Sequence, residues 1–128
     1  MFYPKNMNTA VAGWEYYPAA AGSYKVGQLL NAAGGKLAPI EAASKTTPGY
    51  VCMADVTVAD GDTIPVQRIV KDGIYATTLS AETAGAVIGG KLEVSAGGLQ
   101  ADGAAAGTFE VVWAEGTAAG CEVWGRFI

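Results

Sequence analysis

Residues 50–70 read Y-V-C-M-A-D-V-T-V-A-D-G-D-T-I-P-V-Q-R-I-V, and this stretch decides the fold class. Across Val51, Met53 to Val58 and again Val66 to Val70, apolar and polar residues alternate, which puts them on opposite sides of an extended chain. β-Branched residues are frequent here, as suits a pleated, half-buried surface. Asp60-Gly61 lies between the two runs and reads as a tight turn, because glycine accepts positive φ and aspartate can bond its own backbone. Pro65 has no N–H to give, which points its strand to a sheet edge or a bulge.

The same pattern continues outward in both directions. Strands are expected near Tyr24–Leu30, Lys36–Ile40, Tyr50–Val58, Thr63–Val70, Ile74–Leu79, Lys91–Ser95, Thr108–Trp113 and Cys121–Phe127, with further turns at Asp72-Gly73 and Asp102-Gly103. One short helix is expected from Ser80 to about Val87, capped by Ser80, with Glu82 in its first turn and Gly89-Gly90 as its stop. The expected fold is therefore all-β with one short helix: a small β-barrel or sandwich, with glycines supplying bulges and corners. Gly-Gly-Lys-Leu occurs at Gly34–Leu37 and again at Gly89–Leu92, and two similar strand entries account for it.

The chain divides at about residue 22. Residues 23–128 read as a single β-rich domain, and 128 residues in all suit one domain. Residues 1–22 read as an extended, aromatic-rich N-terminal arm. Five of the 12 aromatic residues, Phe2, Tyr3, Trp14, Tyr16 and Tyr17, fall in the first 17 positions, with Pro4 and Pro18 beside them and no regular period. Aromatics at that density must lie on something, since left bare they would promote association. The choices are the chain's own domain or a partner.

Composition excludes several classes. The 51% hydrophobic and 16% charged content argues against disorder. Eighteen glycines and 24 alanines leave much of the chain almost without side chains, but they follow no collagen period. A net charge of −4, with lysines scattered singly, gives no basic stripe for nucleic acid. Apolar stretches such as Ala84 to Ile88 fall far short of the roughly 20 residues that span a bilayer, and the N-terminus lacks the basic start and apolar run of a secretory leader. No nucleic-acid or membrane partner is expected.

Little in the sequence suggests catalysis. With no histidine, the usual general base and the Ser/His and Cys/His dyads are missing. Asp55, Asp60 and Asp62 form the densest acidic spot, but it is too short for a calcium loop, which spreads oxygen ligands over about 12 residues. It reads as a solvated turn. Glu93, Glu110, Glu115 and Glu122 alternate with apolar neighbours and read as the polar face of a sheet. Cys52 and Cys121 read as reduced core thiols, since no CxxC or Cys/His spacing is present. Neither a metal nor another cofactor is expected, nor an enzyme.

Two stretches carry a resemblance. Val26-Gly-Gln-Leu-Leu-Asn-Ala-Ala-Gly-Gly-Lys-Leu37, followed by Thr46-Thr-Pro-Gly-Tyr-Val-Cys-Met-Ala54, resembles the lambda-type head decoration proteins of tailed bacteriophages. The shared order is a short apolar strand, a small turn, a Lys-Leu strand, a threonine/glycine loop and an apolar strand ending in alanine. Gly107–Trp113 and Gly120–Phe127 look like the closing strands of related small β proteins of phage heads. The resemblance implies a structural virion protein, assembled in the host cytoplasm and placed on the capsid exterior. There it would stabilise the shell as a homo-oligomer, commonly a trimer, with its arm reaching the major capsid protein and adding a strand to that protein's sheet. On this chain the capsid-binding residues would be Phe2, Tyr3, Trp14, Tyr16 and Tyr17. The arm is more aromatic, and the C-terminal half longer, than in the lambda pattern. The alternative is another virion display module, such as a head-fibre base, a tail protein, or a host- or glycan-binding domain.

Overall fold

The computed structural model describes residues 1–5, 13–71, 73–104 and 106–128. The chain is all-β. β1 (Tyr3–Pro4), β9 (Tyr75–Thr78), β13 (Glu122–Phe127), β12 (Phe109–Ala114), β10 (Lys91–Val94) and β11 (Ala101–Gly103) form one antiparallel sheet in that order. A second antiparallel sheet runs β2 (Trp14–Pro18), β8 (Thr63–Arg68), β6 (Tyr50–Cys52), β4 (Leu29–Ala33), β5 (Lys36–Pro39). A ribbon of β3 (Gly22–Tyr24) and β7 (Val56–Val58) lies apart from both.

The architecture is sandwich-like rather than a closed barrel. Leu29 and Val51 of the five-stranded sheet are buried with Leu92, Val94, Phe109, Val111, Val123 and Phe127 of the six-stranded one, so the first core lies between the sheets. The opposite face of the five-stranded sheet is also buried. There Leu30, Leu37, Cys52, Ile64 and Val66 pack with Ala19 and Tyr24 in a second core, flanked by Val56 and Val58 of the ribbon. Adjacent residues such as Leu29 and Leu30, or Val51 and Cys52, therefore serve different cores, as a two-residue period requires of a sheet covered on both faces. That sheet curls until Ala19, just past β2, meets Leu37 of β5 in a single parallel bridge.

The first core centres on aromatic rings. Phe109 and Phe127 are 5.0 Å apart, Phe2 meets Phe109 edge-on at 5.5 Å, and Tyr75 meets Phe127 at 5.8 Å. Phe2 thus comes from the expected arm to close the main core. Its amide donates to the Gly27 carbonyl at 2.8 Å, and the Lys5 amide to Ile74 at 2.7 Å. Gly27 has φ +83°, and a Cβ there would stand 2.8 Å from the Cβ of Met1, so the close passage of the N-terminus requires glycine.

Several expectations are corrected. Residues 80–90 form turns and bends in place of the helix. The Ser80 hydroxyl, expected to cap, instead donates to the Asp102 carboxylate. The Ser80 and Thr83 amides go to the carbonyls of Ala101 and Thr117, both at 3.0 Å, so the first turn's donors are used elsewhere. A Cβ at Gly90 would collide with the Gly85 carbonyl, which means the loop doubles back on itself there. The expected strand Tyr24–Leu30 is broken by a turn at Val26–Gly27, and Tyr50–Val58 divides into β6 and β7. Asp102-Gly103 lies within β11 rather than in a turn, while Asp72 falls outside the described residues. Gly34-Gly35, both at positive φ, close the β4–β5 hairpin.

Pro65 is not at an edge, because β8 has β2 on one side and β6 on the other. β6 pairs with β8 only as far as Cys52 opposite Val66, and the Pro65 carbonyl accepts from the Met53 amide just beyond, at 3.0 Å. A strand residue directs its N–H and C=O to the same neighbour. The missing N–H of Pro65 therefore falls where β6 has already ended.

Candidate functional site

The acidic residues of the densest spot in the sequence are occupied structurally. Asp55 accepts the Val26 amide at 2.8 Å, Asp62 accepts the Ala59 amide at 3.1 Å, and Asp60 pairs with Lys36 at 2.6 Å. Glu110 faces Arg126 at 3.7 Å. Among the described residues no three Cys, Asp or Glu side chains gather as a metal site. Cys52 is buried and Cys121 half-buried, both as free thiols. A depression lined by Glu82, Thr83, Asp102 and Gly103 is open and polar, and its Asp102 carboxylate accepts from the Ser80 hydroxyl.

The exposed aromatic residues are the chemically distinctive surface features. The five expected arm residues occupy four different environments. Phe2 is in the core and offers no surface. Trp14 and Tyr16 are 57% and 65% exposed on β2, two residues apart and so on one face. Register places Trp14 opposite Gln67, in line with Val51 and Leu29, and Tyr16 opposite Pro65 on the same face, and both rings lie beyond the area that the six-stranded sheet covers. β2 ends its sheet.

Tyr17 points to the other face. Its ring meets Tyr50 at 5.4 Å, and its hydroxyl donates to the Glu15 carboxylate, which Arg68 approaches at 3.5 Å. The hydrogen bond to Glu15 holds the Tyr17 phenol above its ordinary pKa, and the phenol, followed by Glu15, raises that of Arg68. This cluster fixes the far face of β2 and leaves Trp14 and Tyr16 outward.

Tyr3 belongs to a separate surface. β1 pairs with β9 so that Tyr3 faces Ala76, Ala76 faces Trp124 on β13, and Trp124 faces Trp113 on β12. These four residues form one row across the outer face of the six-stranded sheet. Tyr3 is 46% and Trp113 41% exposed, and the two indoles are 5.0 Å apart, tilted by 49°. The Trp124 Nε1 donates to Glu122 at 3.1 Å, and the Lys5 ammonium lies 5.5 Å from the Trp124 ring centre.

Sequence reading missed Trp113 and Trp124. Strict alternation in Glu122–Phe127 does place Trp124 with Glu122 and Arg126 on the outer face. For Trp113 the same rule fails. It would group Trp113 with Phe109 and Val111 inside, but the register shifts between Val111 and Trp113 and turns the indole outward.

No protein-family model matches the chain, and no curated protein matches it.

Proposed function

We propose that this protein is a structural, non-enzymatic module of a phage virion. It binds the outer surface of the capsid through β2 and stabilises the shell, as a homo-oligomer such as a trimer. The observation that carries this reading is the pair Trp14 and Tyr16, held outward on a strand that ends its sheet. A sheet-ending strand can accept a strand from a partner, whose main-chain groups supply affinity while flanking side chains supply specificity. Trp and Tyr are the residue types that most often dominate such contacts. The partner is the major capsid protein.

One further feature supports the reading. The element order behind the resemblance is present as β4, the Gly34-Gly35 turn, β5, a loop and β6.

The arm's role changes in this account. Its two described parts are strands of the domain, so β2 offers a contact that is already positioned rather than one that must first be ordered. The test is co-sedimentation of the full chain with empty expanded heads, comparing wild type with a Trp14→Ala/Tyr16→Ala variant whose circular dichroism is unchanged. Wild type should pellet at a fixed ratio and the variant should lose at least tenfold in affinity. Failure of wild type to pellet, or equal binding by the variant, would refute the proposal.

A further inference from the structure

We infer that the outer face of the six-stranded sheet is a carbohydrate-binding platform for single chains of neutral sugars. The site is separate from Trp14 and Tyr16 and does not depend on the capsid reading.

Its floor is the row Tyr3, Ala76, Trp124 and Trp113, one residue from each of four neighbouring strands. At about 4.8 Å per strand the row extends roughly 14 Å, the scale of a short oligosaccharide rather than one ring. Ala76, the small member, lies buried between Tyr3 and Trp124 and lets the two flanking rings stand proud of the sheet. A cavity of about 290 Å³ opens at the Tyr3 end of the row, next to the indoles rather than over them, lined by Met1, Tyr3, Lys5, Ala76, Thr78 and Glu122 among others.

The chemistry suits a sugar. A pyranose presents an apolar C–H face, which stacks on an aromatic ring, and a rim of hydroxyls that both donate and accept. Around the aromatic row are an acceptor, Glu122, a cationic donor, Lys5, and the Thr78 hydroxyl. Thr78 already accepts from Gln100 at 3.0 Å, so its own proton is directed to another acceptor. Glu122 also fixes the Trp124 ring through its Nε1, which orients the stacking surface before any ligand arrives. Lys5 lies over that ring on a long, exposed side chain and can swing aside to the ligand's rim, giving up a cation–π contact that is weak when exposed.

Charge and shape restrict the ligand further. Glu93, Asp102, Glu110, Glu115 and Glu122 on this face outnumber Lys5, Lys91 and Arg126, so acidic sugars and nucleic acid are disfavoured. The cores of protein interfaces are depleted of charge, whereas here Lys5 and Glu122 stand directly beside the rings. The 49° tilt between the indoles follows a twisted chain and does not match a flat crystalline surface.

The test is titration of intrinsic tryptophan fluorescence with soluble cello-, xylo-, manno- and chito-oligosaccharides, together with sedimentation equilibrium of the same samples. At least one sugar should give saturable binding. Trp113→Ala and the milder Trp124→Phe should each weaken it tenfold or more, while Trp14→Ala should leave it unchanged. The proposal is overturned if no sugar in the panel binds at millimolar concentration, or if binding survives both substitutions. It is also overturned if the protein self-associates and Trp113→Ala abolishes that association, which would make the face an interface between copies.

Discussion

Phe2 is the residue that most changes how the N-terminal segment works. Its ring is fully buried against Phe109 and Phe127, in a core formed mostly by strands more than 70 residues away in sequence. Truncation of such a ring leaves a cavity and typically costs about 3–5 kcal/mol. Phe2→Ala should lower the free energy of unfolding in urea by an amount in that range, with unchanged strand content in the native baseline. A loss below about 1 kcal/mol would show that the core closes without this ring. The same fact governs the choice of variants. Removing residues 1–22 would delete a core ring and two strands, so loss of binding on truncation would report on folding as much as on contact. Side-chain changes at Trp14 and Tyr16 avoid this, because both rings project into solvent.

At the scale of elements, the legible and illegible parts of the fold separate for physical reasons. Alternation over residues 63–68 marks β8, and the alternation of Val123, Gly125 and Phe127 against Glu122, Trp124 and Arg126 marks β13. Glycine and aspartate turns were legible where the geometry was local, as at Asp60-Gly61 and Gly34-Gly35. Long-range demands were not. Ser80 has a good cap sequence, but Asp102 accepts from its hydroxyl and the Ala101 carbonyl from its own amide, and both lie about 20 residues away. Pro65 is tolerated inside a sheet only because a neighbouring strand stops beside it, which no local rule can reveal. Of the candidate surfaces, Trp14, Tyr16 and Tyr3 were visible as an aromatic cluster in sequence, but their division between two sheets was not.

The bulge in β12 makes its own prediction. The extra residue between Val111 and Trp113 is Val112, and the ladder resumes with Trp113 opposite Trp124 and Ala114 opposite Val123. Deleting Val112 should restore strict alternation while keeping Trp113 on the outer face beside Trp124. The coupled tryptophan signal in circular dichroism should persist, and stability should change by no more than about 1–2 kcal/mol, the usual scale of a single change outside the core. Loss of that signal would mean that Val112 itself orients the pair.

At the scale of the whole molecule, pH dependence follows from groups buried in the two cores. Burial pushes the Cys52 thiol above its ordinary value of 9.0, and the Tyr24 and Tyr75 phenols above 10.0. The unfolded chain therefore releases these protons at lower pH than the folded one. The stability they contribute is fully present below about pH 9 and declines as pH rises through 9 to 10 and on to the raised native values. The half-buried Met1 ammonium, held below its ordinary 8.0 by burial, works in the opposite sense, so urea midpoints should hold or rise slightly from pH 7 to about 9 and then fall steadily. A midpoint that stayed constant to roughly pH 11 would show that these groups titrate alike in both states.

The central claim is that β2 is the contact surface for the capsid, and amide hydrogen exchange tests it most directly. The measurement compares the free protein with the protein bound to expanded heads. The account predicts added protection concentrated in residues 14–18, as a partner strand covers the outer side of β2, with β12 and β13 unchanged. Protection confined to β12 and β13, or spread evenly with none added at β2, would contradict it.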